Sequence, residues 1–309
     1  MKTGQCGEQV FFHMQAGTLT IFGSGPMWDY DPKTLLSEQF MTVYNVPWRD
    51  LPVHSVVIES GVTRIGEGAF CRTSVQSAVL PETLSEIGDR AFSGSALQSI
   101  RFPDGVWSIG ESAFCGCACL REVCLPDSVH IGAYGFACTG LERLTFRGQL
   151  ALAGSAAFGM NSELTELKLP QSGFLGHDLF CSCGLRQADL SESGLQDLPA
   201  SMFRSCKQLE KVILPPNLRT LGTASLTDTG LKELVLPETV RSFHPLDILN
   251  CDKLERIVFL GRKAPDCTPV WSFLQEELVL TIRQDAVGFD VPPWNGQPIE
   301  RLSEEKLTK

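Results

Sequence analysis

The order Leu97-Gln-Ser-Ile100-Arg-Phe102-Pro103, followed by Val106, Ile109-Gly110, Ala113-Phe114 and Cys117, returns along the chain every 21 to 24 residues. It recurs from Val75 through Ala78, Leu80, Pro81, Leu84, Ile87-Gly88 and Ala91-Phe92. It recurs again from Leu120 through Val123, Leu125, Pro126, Val129, Ile131-Gly132, Phe136 and Cys138. Units open at Val53, Val75, Leu97, Leu120, Leu141, Leu164, Leu185, Leu209, Leu231 and Leu254. A period this regular excludes a division into two globular domains, although 309 residues would ordinarily allow two or three. Each unit is one coil, and it can bury its apolar side only against the next coil.

Apolar residues stand at offsets 0, 3 and 5 of each unit, the last two alternating as a strand requires. In six units a proline follows at offset 6, at positions 81, 103, 126, 170, 215 and 237; lacking an N–H, it ends the strand. Strands returning at this interval pair in parallel with their own copies. The second half, Ile-Gly-x-x-Ala-Phe, supplies the opposite wall: the small Ala lets the coil turn closely and the Phe fills the space between the walls. Phe70, Phe92, Phe114, Phe136, Phe158, Phe180 and Phe203 hold this place. The chain has 18 Phe against 3 Tyr, the bias expected where a phenol hydroxyl would find no partner inside a coil.

The unit L-x-x-I-x-F-P-x-x-V-x-x-I-G-x-x-A-F-x-x-C-x-x-L resembles the repeat of the BspA-like leucine-rich repeat family, a bacterial class that includes gut-type Firmicutes members. The resemblance runs over residues 53–260 and is specific, because Pro, Ile-Gly, Ala-Phe and Cys recur in register. Cys6-Gly7, Gly17 to Ile21, Gly23 to Met27 and Pro47-Trp48 resemble the segment preceding such repeats, and Leu278 to Ile282 with Trp294 resembles the closing unit. Leu226 replaces the Phe of one unit, Phe243 and Leu249 rewrite another, and residues 147–154 lack the Pro and Ile-Gly. The expected fold is a mostly β repeat solenoid of α/β type, a right-handed leucine-rich repeat coil with a parallel sheet. An N-terminal β-hairpin cap is expected within residues 1–52, about ten units over 53–260, and a C-terminal cap and tail over 261–309. The hairpin falls on residues 8–22, with Val10, Phe12 and Met14 alternating before the turn at Ala16-Gly17 and Leu19 and Ile21 after it. It closes an edge that would otherwise stand open.

The net charge of −10 weighs against nucleic acid and anionic lipid. No run approaches 18 consecutive apolar residues, so no membrane insertion is expected, and no basic segment followed by an apolar run opens the chain. As written, this suggests a cytoplasmic protein; an upstream signal would instead make it secreted or cell-surface.

Cys117, Cys138, Cys206 and Cys251 each lie three residues before the next leading Leu, with Cys183 one place off. A thiol returning to one place reads as a small buried hydrophobe bonded to a turn carbonyl. Cys115, Cys117, Cys119, Cys124 and Cys138 as a zinc cluster is the sharper alternative, but C-x-C-x-C lacks the C-x₂₋₄-C pairing of structural zinc sites. The expectation is no metal and no cofactor, with the thiols favouring a reducing compartment. His177 and His244 hold the same offset three coils apart and cannot share a proton or a metal. No H-E-x-x-H, G-x-S-x-G or phosphate loop occurs, so no enzyme is expected.

Charges alternate along the strand surface, from Glu122 to Arg143 at offset 2 and from Arg121 to Glu142 at offset 1, a face that satisfies itself. Offset 4 is apolar toward the end of the array, at Ile213, Val235 and Val258. With Trp271 and Phe273 of the following excursion, these form the expected contact surface, and Trp107, between Val106 and Ile109, is a separate candidate. The function expected is a non-enzymatic protein-interaction scaffold. The resemblance implies adhesion or host contact, and an intracellular structural or regulatory scaffold is the alternative. The expected partner is a protein, a second copy of the chain included, with a glycan as the lesser candidate.

Overall fold

Short strands, most of them paired in parallel, build the chain, a computed structural model of which describes residues 2–34, 42–267, 278–292 and 294–303. Among the described residues there is no α-helix; strands of two to six residues and two 3-10 turns, Pro245–Ile248 and Trp294–Gly296, make up the regular structure. The chain divides into two compact units, residues 1–163 and 164–309.

In the first unit, Lys2–Gln5 pairs antiparallel with Val10–Gln15, which turns through Ala16-Gly17 into Thr18–Gly23. Val10, Phe12, Met14, Leu19 and Ile21 are all buried. Thr18–Gly23 then pairs in parallel with Ser55–Ile58, and that strand with Ser77–Val79, so the hairpin continues the parallel sheet of the repeats. Further on, Glu122–Leu125 pairs with Arg143–Phe146 in the same sense. The opposite wall is also a parallel sheet: Val62–Ile65, Glu86–Ile87, Ser108–Ile109, Val129–Ile131 and Leu150–Ala153 follow one another with Arg64, Glu86, Ser108 and His130 in register. Ile131 pairs with Ala153, so Ala153-Gly154 stands in the Ile-Gly place that the sequence of this unit had appeared to lose. The Gly of that place is fixed by close approach, since a Cβ on Gly154 would lie 2.5 Å from the amide nitrogen of Ala133 in the preceding coil, and one on Gly132 2.5 Å from that of Glu111.

Between the walls runs a column of rings. Phe70, Phe92, Phe114, Phe136 and Phe158 are fully buried, with successive centroids 5.0, 5.3, 4.9 and 5.9 Å apart. Each burial contributes about 1.5–3 kcal/mol, and each stacked pair adds about 0.5–1.5 kcal/mol. Trp48 closes the column 5.6 Å from Phe70, its Nε1–H donating to Ala69 O at 2.9 Å. Two of the three tyrosines keep to the reason given for the Phe bias, since the Tyr44 hydroxyl reaches Glu67 and Tyr134 is exposed. Tyr30 departs from it, its hydroxyl being buried with no hydrogen-bond partner among the described residues.

In the second unit, Glu166–Lys168, Gln187–Asp189 and Lys211–Ile213 pair in parallel. Glu233–Leu236, Arg256–Phe259, Val279–Arg283 and Ile299–Leu302 form a second parallel run. Phe180 and Phe203 stack at 6.0 Å, Leu226 takes the next place, and Phe243, Phe259, Phe289 and Trp294 cluster at the closing end with neighbouring centroids 5.2–6.1 Å apart.

Candidate functional site

The thiols come first, because the sequence offers them as chemistry. The inward place is set by the distance from the buried ring, not from the next leucine. Three residues after the ring stand Thr73, Ser95, Cys117, Thr139 and Asn161 in the first unit and Cys183 and Cys206 in the second, where Thr229 and Cys251 stand three residues after Leu226 and Ile248 instead. Cys117 Sγ donates to Phe92 O, Cys206 Sγ to Phe180 O and Cys251 Sγ to Leu226 O, each at 3.1 Å, so the thiol satisfies a carbonyl of the coil before it. Burial pushes the Cys117 thiol up to about 11 and that of Cys206 up to about 12, so both stay protonated and are poor nucleophiles at neutral pH. Cys183 belongs to this column and is buried. Cys138 does not: its coil is one residue shorter after the ring, so Thr139 turns inward and Cys138 is exposed. Cys119 and Cys124 are exposed as well, and among the described residues no three His, Cys, Asp or Glu side chains gather as a metal group.

The histidines serve turns. His177 Nδ1 lies 2.8 Å from Asp178, whose other oxygen receives Arg204 at 2.7 Å on the surface. His244 Nδ1 accepts the Leu246 N–H at 3.1 Å and caps the 3-10 turn. The alternating charges pair in the first unit, Arg143 with Glu122 at 3.0 Å and Arg121 with Glu142 at 3.4 Å. All four are more than half exposed, so each pair is worth about 0–1 kcal/mol.

The strand face of the second unit carries a groove of about 770 Å³. Ile213, Leu214, Pro216, Val235, Pro237 and Leu260 are its apolar lining, and Glu210, Lys211, Lys232, Glu233, Glu238 and Arg283 line it as well. Strand alternation turns Val212 and Leu234 into the core and leaves Ile213 40% and Val235 36% exposed. Val258 departs from the expectation that offset 4 faces outward there. It is 6% exposed, and Thr281, its ladder neighbour, is 1% exposed, because both faces of the closing strands are covered. Trp271 and Phe273 lie outside the described residues. Trp107, in the first unit, is 50% exposed with its ring edge-on to His130 at 6.0 Å. Sequence reasoning missed Pro216, Pro237 and Leu260. Pro237 ends its strand and Pro216 follows the strand-ending Pro215, and an apolar ring placed where a strand leaves the sheet also lines the groove.

Six copies of the BspA type leucine rich repeat region match over residues 48–165 and 130–255. The chain belongs to the BspA-type leucine-rich repeat family. It is a repeat scaffold, and the match begins at Trp48, the ring that closes the Phe column. Among solved structures, a leucine-rich repeat protein from Eubacterium ventriosum is similar at 19% identity and a TM-score of 0.53, covering 98% of this chain and 86% of its own. One from Bacteroides ovatus is similar at 18% identity and a TM-score of 0.50, covering 95% and 77%. Both support the fold. No curated protein matches. Among the described residues no helix is long and apolar enough to cross a membrane.

Proposed function

We propose that this chain is a non-enzymatic scaffold that binds a partner protein, and that apolar side chains of the partner enter the groove around Ile213 and Val235. The observation that supports this most is the pair of aliphatic side chains left exposed beside proline and leucine in one groove, on strands whose later copy, Val258, is covered. Exposed apolar surface with charges of both signs beside it is characteristic of a contact site. A lining with so many aliphatic and proline side chains suits an apolar side chain better than a hydroxyl-rich glycan, whose desolvation it could not offset. Adhesion or host contact is the use that the family resemblance suggests. An intracellular scaffold is favoured instead by the surface thiols of Cys119, Cys124 and Cys138, which an oxidising compartment would threaten.

The test is selection of displayed extended peptides on the full chain, alongside the Ile213→Glu, Val235→Glu double variant. Peptides with an apolar anchor should be selected by the wild type and lose at least about tenfold in affinity for the variant, which corresponds to about 1.4 kcal/mol. The variant should unfold at the wild-type urea concentration, whereas Val258→Glu should not fold stably. Peptides that bind both proteins equally would remove the groove from the proposal. A concentration-dependent dimer lost in the double variant would identify a second copy as the partner.

A further inference from the structure

Between the strand ends and the opposite wall of the second unit lies a second cleft, of about 810 Å³. Arg219, Arg241, Arg262 and Lys263 line it against Glu238 and Asp266, a local excess of positive charge on a chain of net charge −10. Arg219 and Arg241 hold the same place in successive coils: the Arg241 N–H donates to Arg219 O at 2.9 Å, and beside them Thr220 bridges Ser242 in parallel. Like charges on adjacent strands repel. Elsewhere the repeat answers charge with charge. Arg143 meets Glu122 at 3.0 Å, and Arg90 lies 3.9 Å from Glu67 and 3.0 Å from Glu111. In the cleft Arg262 has Asp285 at 3.6 Å, whereas Arg219, Arg241 and Lys263 form no ion pair among the described residues.

We propose that this cleft binds an acidic sugar, a carboxylate or sulfate on a hydroxylated ring, with the anion on Arg219 and Arg241. Guanidinium forks whose backbone places stand about 4.8 Å apart can converge on one anionic group, and a carboxylate or sulfate accepts two parallel N–H bonds from each. The neighbouring groups select the rest of the ligand. The Gln196 and Asn217 side chains are exposed and hold no hydrogen bond among the described residues. Thr239 directs its hydroxyl proton at Pro216 O and Leu218 O, at 2.9 and 2.7 Å, so its oxygen can accept from a ligand. Groups that donate and accept match ring hydroxyls, which also do both, whereas the carboxylates of an acidic peptide only accept. The volume lies within the range of about 300–1,000 Å³ that holds small ligands. Repulsion by the chain's net charge is screened beyond about 8 Å at physiological ionic strength, which leaves the short contacts to decide. Glu238 lines this cleft and the Ile213–Val235 groove alike, but the sugar site uses none of the groove's apolar side chains.

The experiment is calorimetric titration of the full chain at physiological salt with tetragalacturonate, sulfated maltotetraose, unmodified maltotetraose and tetra-aspartate. A charged sugar should bind at least about tenfold more tightly than maltotetraose and tetra-aspartate, and which of the two charged sugars binds better separates carboxylate from sulfate. Arg219→Gln and Arg241→Gln should each weaken that binding at least about tenfold, and Arg219→Lys, which keeps the charge and loses the fork, at least about threefold. Both glutamine variants should unfold at no lower urea concentration than the wild type, because neither arginine is held by an ion pair. The Ile213→Glu, Val235→Glu double variant should bind the sugar within about threefold of the wild type, so that failure of the groove and failure of this cleft are told apart. The proposal is overturned if neither charged sugar binds, if both glutamine variants bind like the wild type, or if tetra-aspartate binds as tightly as the sugars, which would assign the cleft to acidic peptides.

Discussion

Asn161 is the most connected residue of the inward polar column, and its replacement tests the physical account of that column. Its fully buried side chain accepts the Thr139 N–H at 2.9 Å and the Thr139 hydroxyl at 2.6 Å, and donates to Phe136 O at 3.0 Å and Phe158 O at 2.7 Å. Asn161→Leu leaves one N–H and two carbonyls without their partner in a dry interior. The Thr139 hydroxyl, already 3.5 Å from Phe136 O, can turn to rescue one carbonyl. At about 1–3 kcal/mol for each orphaned group, the loss should fall between about 2 and 6 kcal/mol. Asn161→Cys installs the residue found at 117, 206 and 251, whose thiol reaches one carbonyl of the preceding coil, and should cost about 1–2 kcal/mol less. With a urea slope of about 3 kcal/mol per molar, Asn161→Leu should lower the midpoint by about 1–2 M, followed by far-ultraviolet circular dichroism. If Asn161→Leu loses under about half a kcal/mol, or Asn161→Cys is as harmful as Asn161→Leu, the column is not held by these bonds.

Gly132→Ala should destabilise by about 2 kcal/mol or more despite the smallness of the change, because the added carbon meets backbone of the neighbouring coil at 2.5 Å and cannot be repacked away; a thermal midpoint equal to wild type would refute this. Asp247 supplies a pH test. It is a buried residue of the 3-10 turn Pro245–Ile248, accepting the His244 N–H, and burial pushes its carboxyl up to about 6 from 3.8. The native state therefore holds a proton that the unfolded chain releases, so stability from this group is full below about pH 4 and lost as pH rises through about 6. Asp247→Asn should remove that slope, so that the variant gains on wild type between pH 4.5 and 7.5 by at least about 1 kcal/mol, and parallel curves for the two proteins would exclude the assignment.

The coil, its parallel strands and its ring column were legible in the sequence because each is a period-22 consequence of local chemistry. Proline ends the strand, alternation at offsets 3 and 5 sets its buried face, and Phe recurs where no hydroxyl can be satisfied. The apolar residues Ile213 and Val235 of the groove were legible for the same reason. What the sequence could not decide depends on which coil lies beside which atom. Cys138 and Asn161 both stand three residues before a leucine, yet one faces water and the other the core, because the turn is measured from the ring and one coil is a residue shorter. Val258 carries the same offset as Val235 and is buried, because strand alternation fixes only which face a side chain is on. Whether that face is covered is decided by tertiary packing, which leaves Val235 36% and Val258 6% exposed.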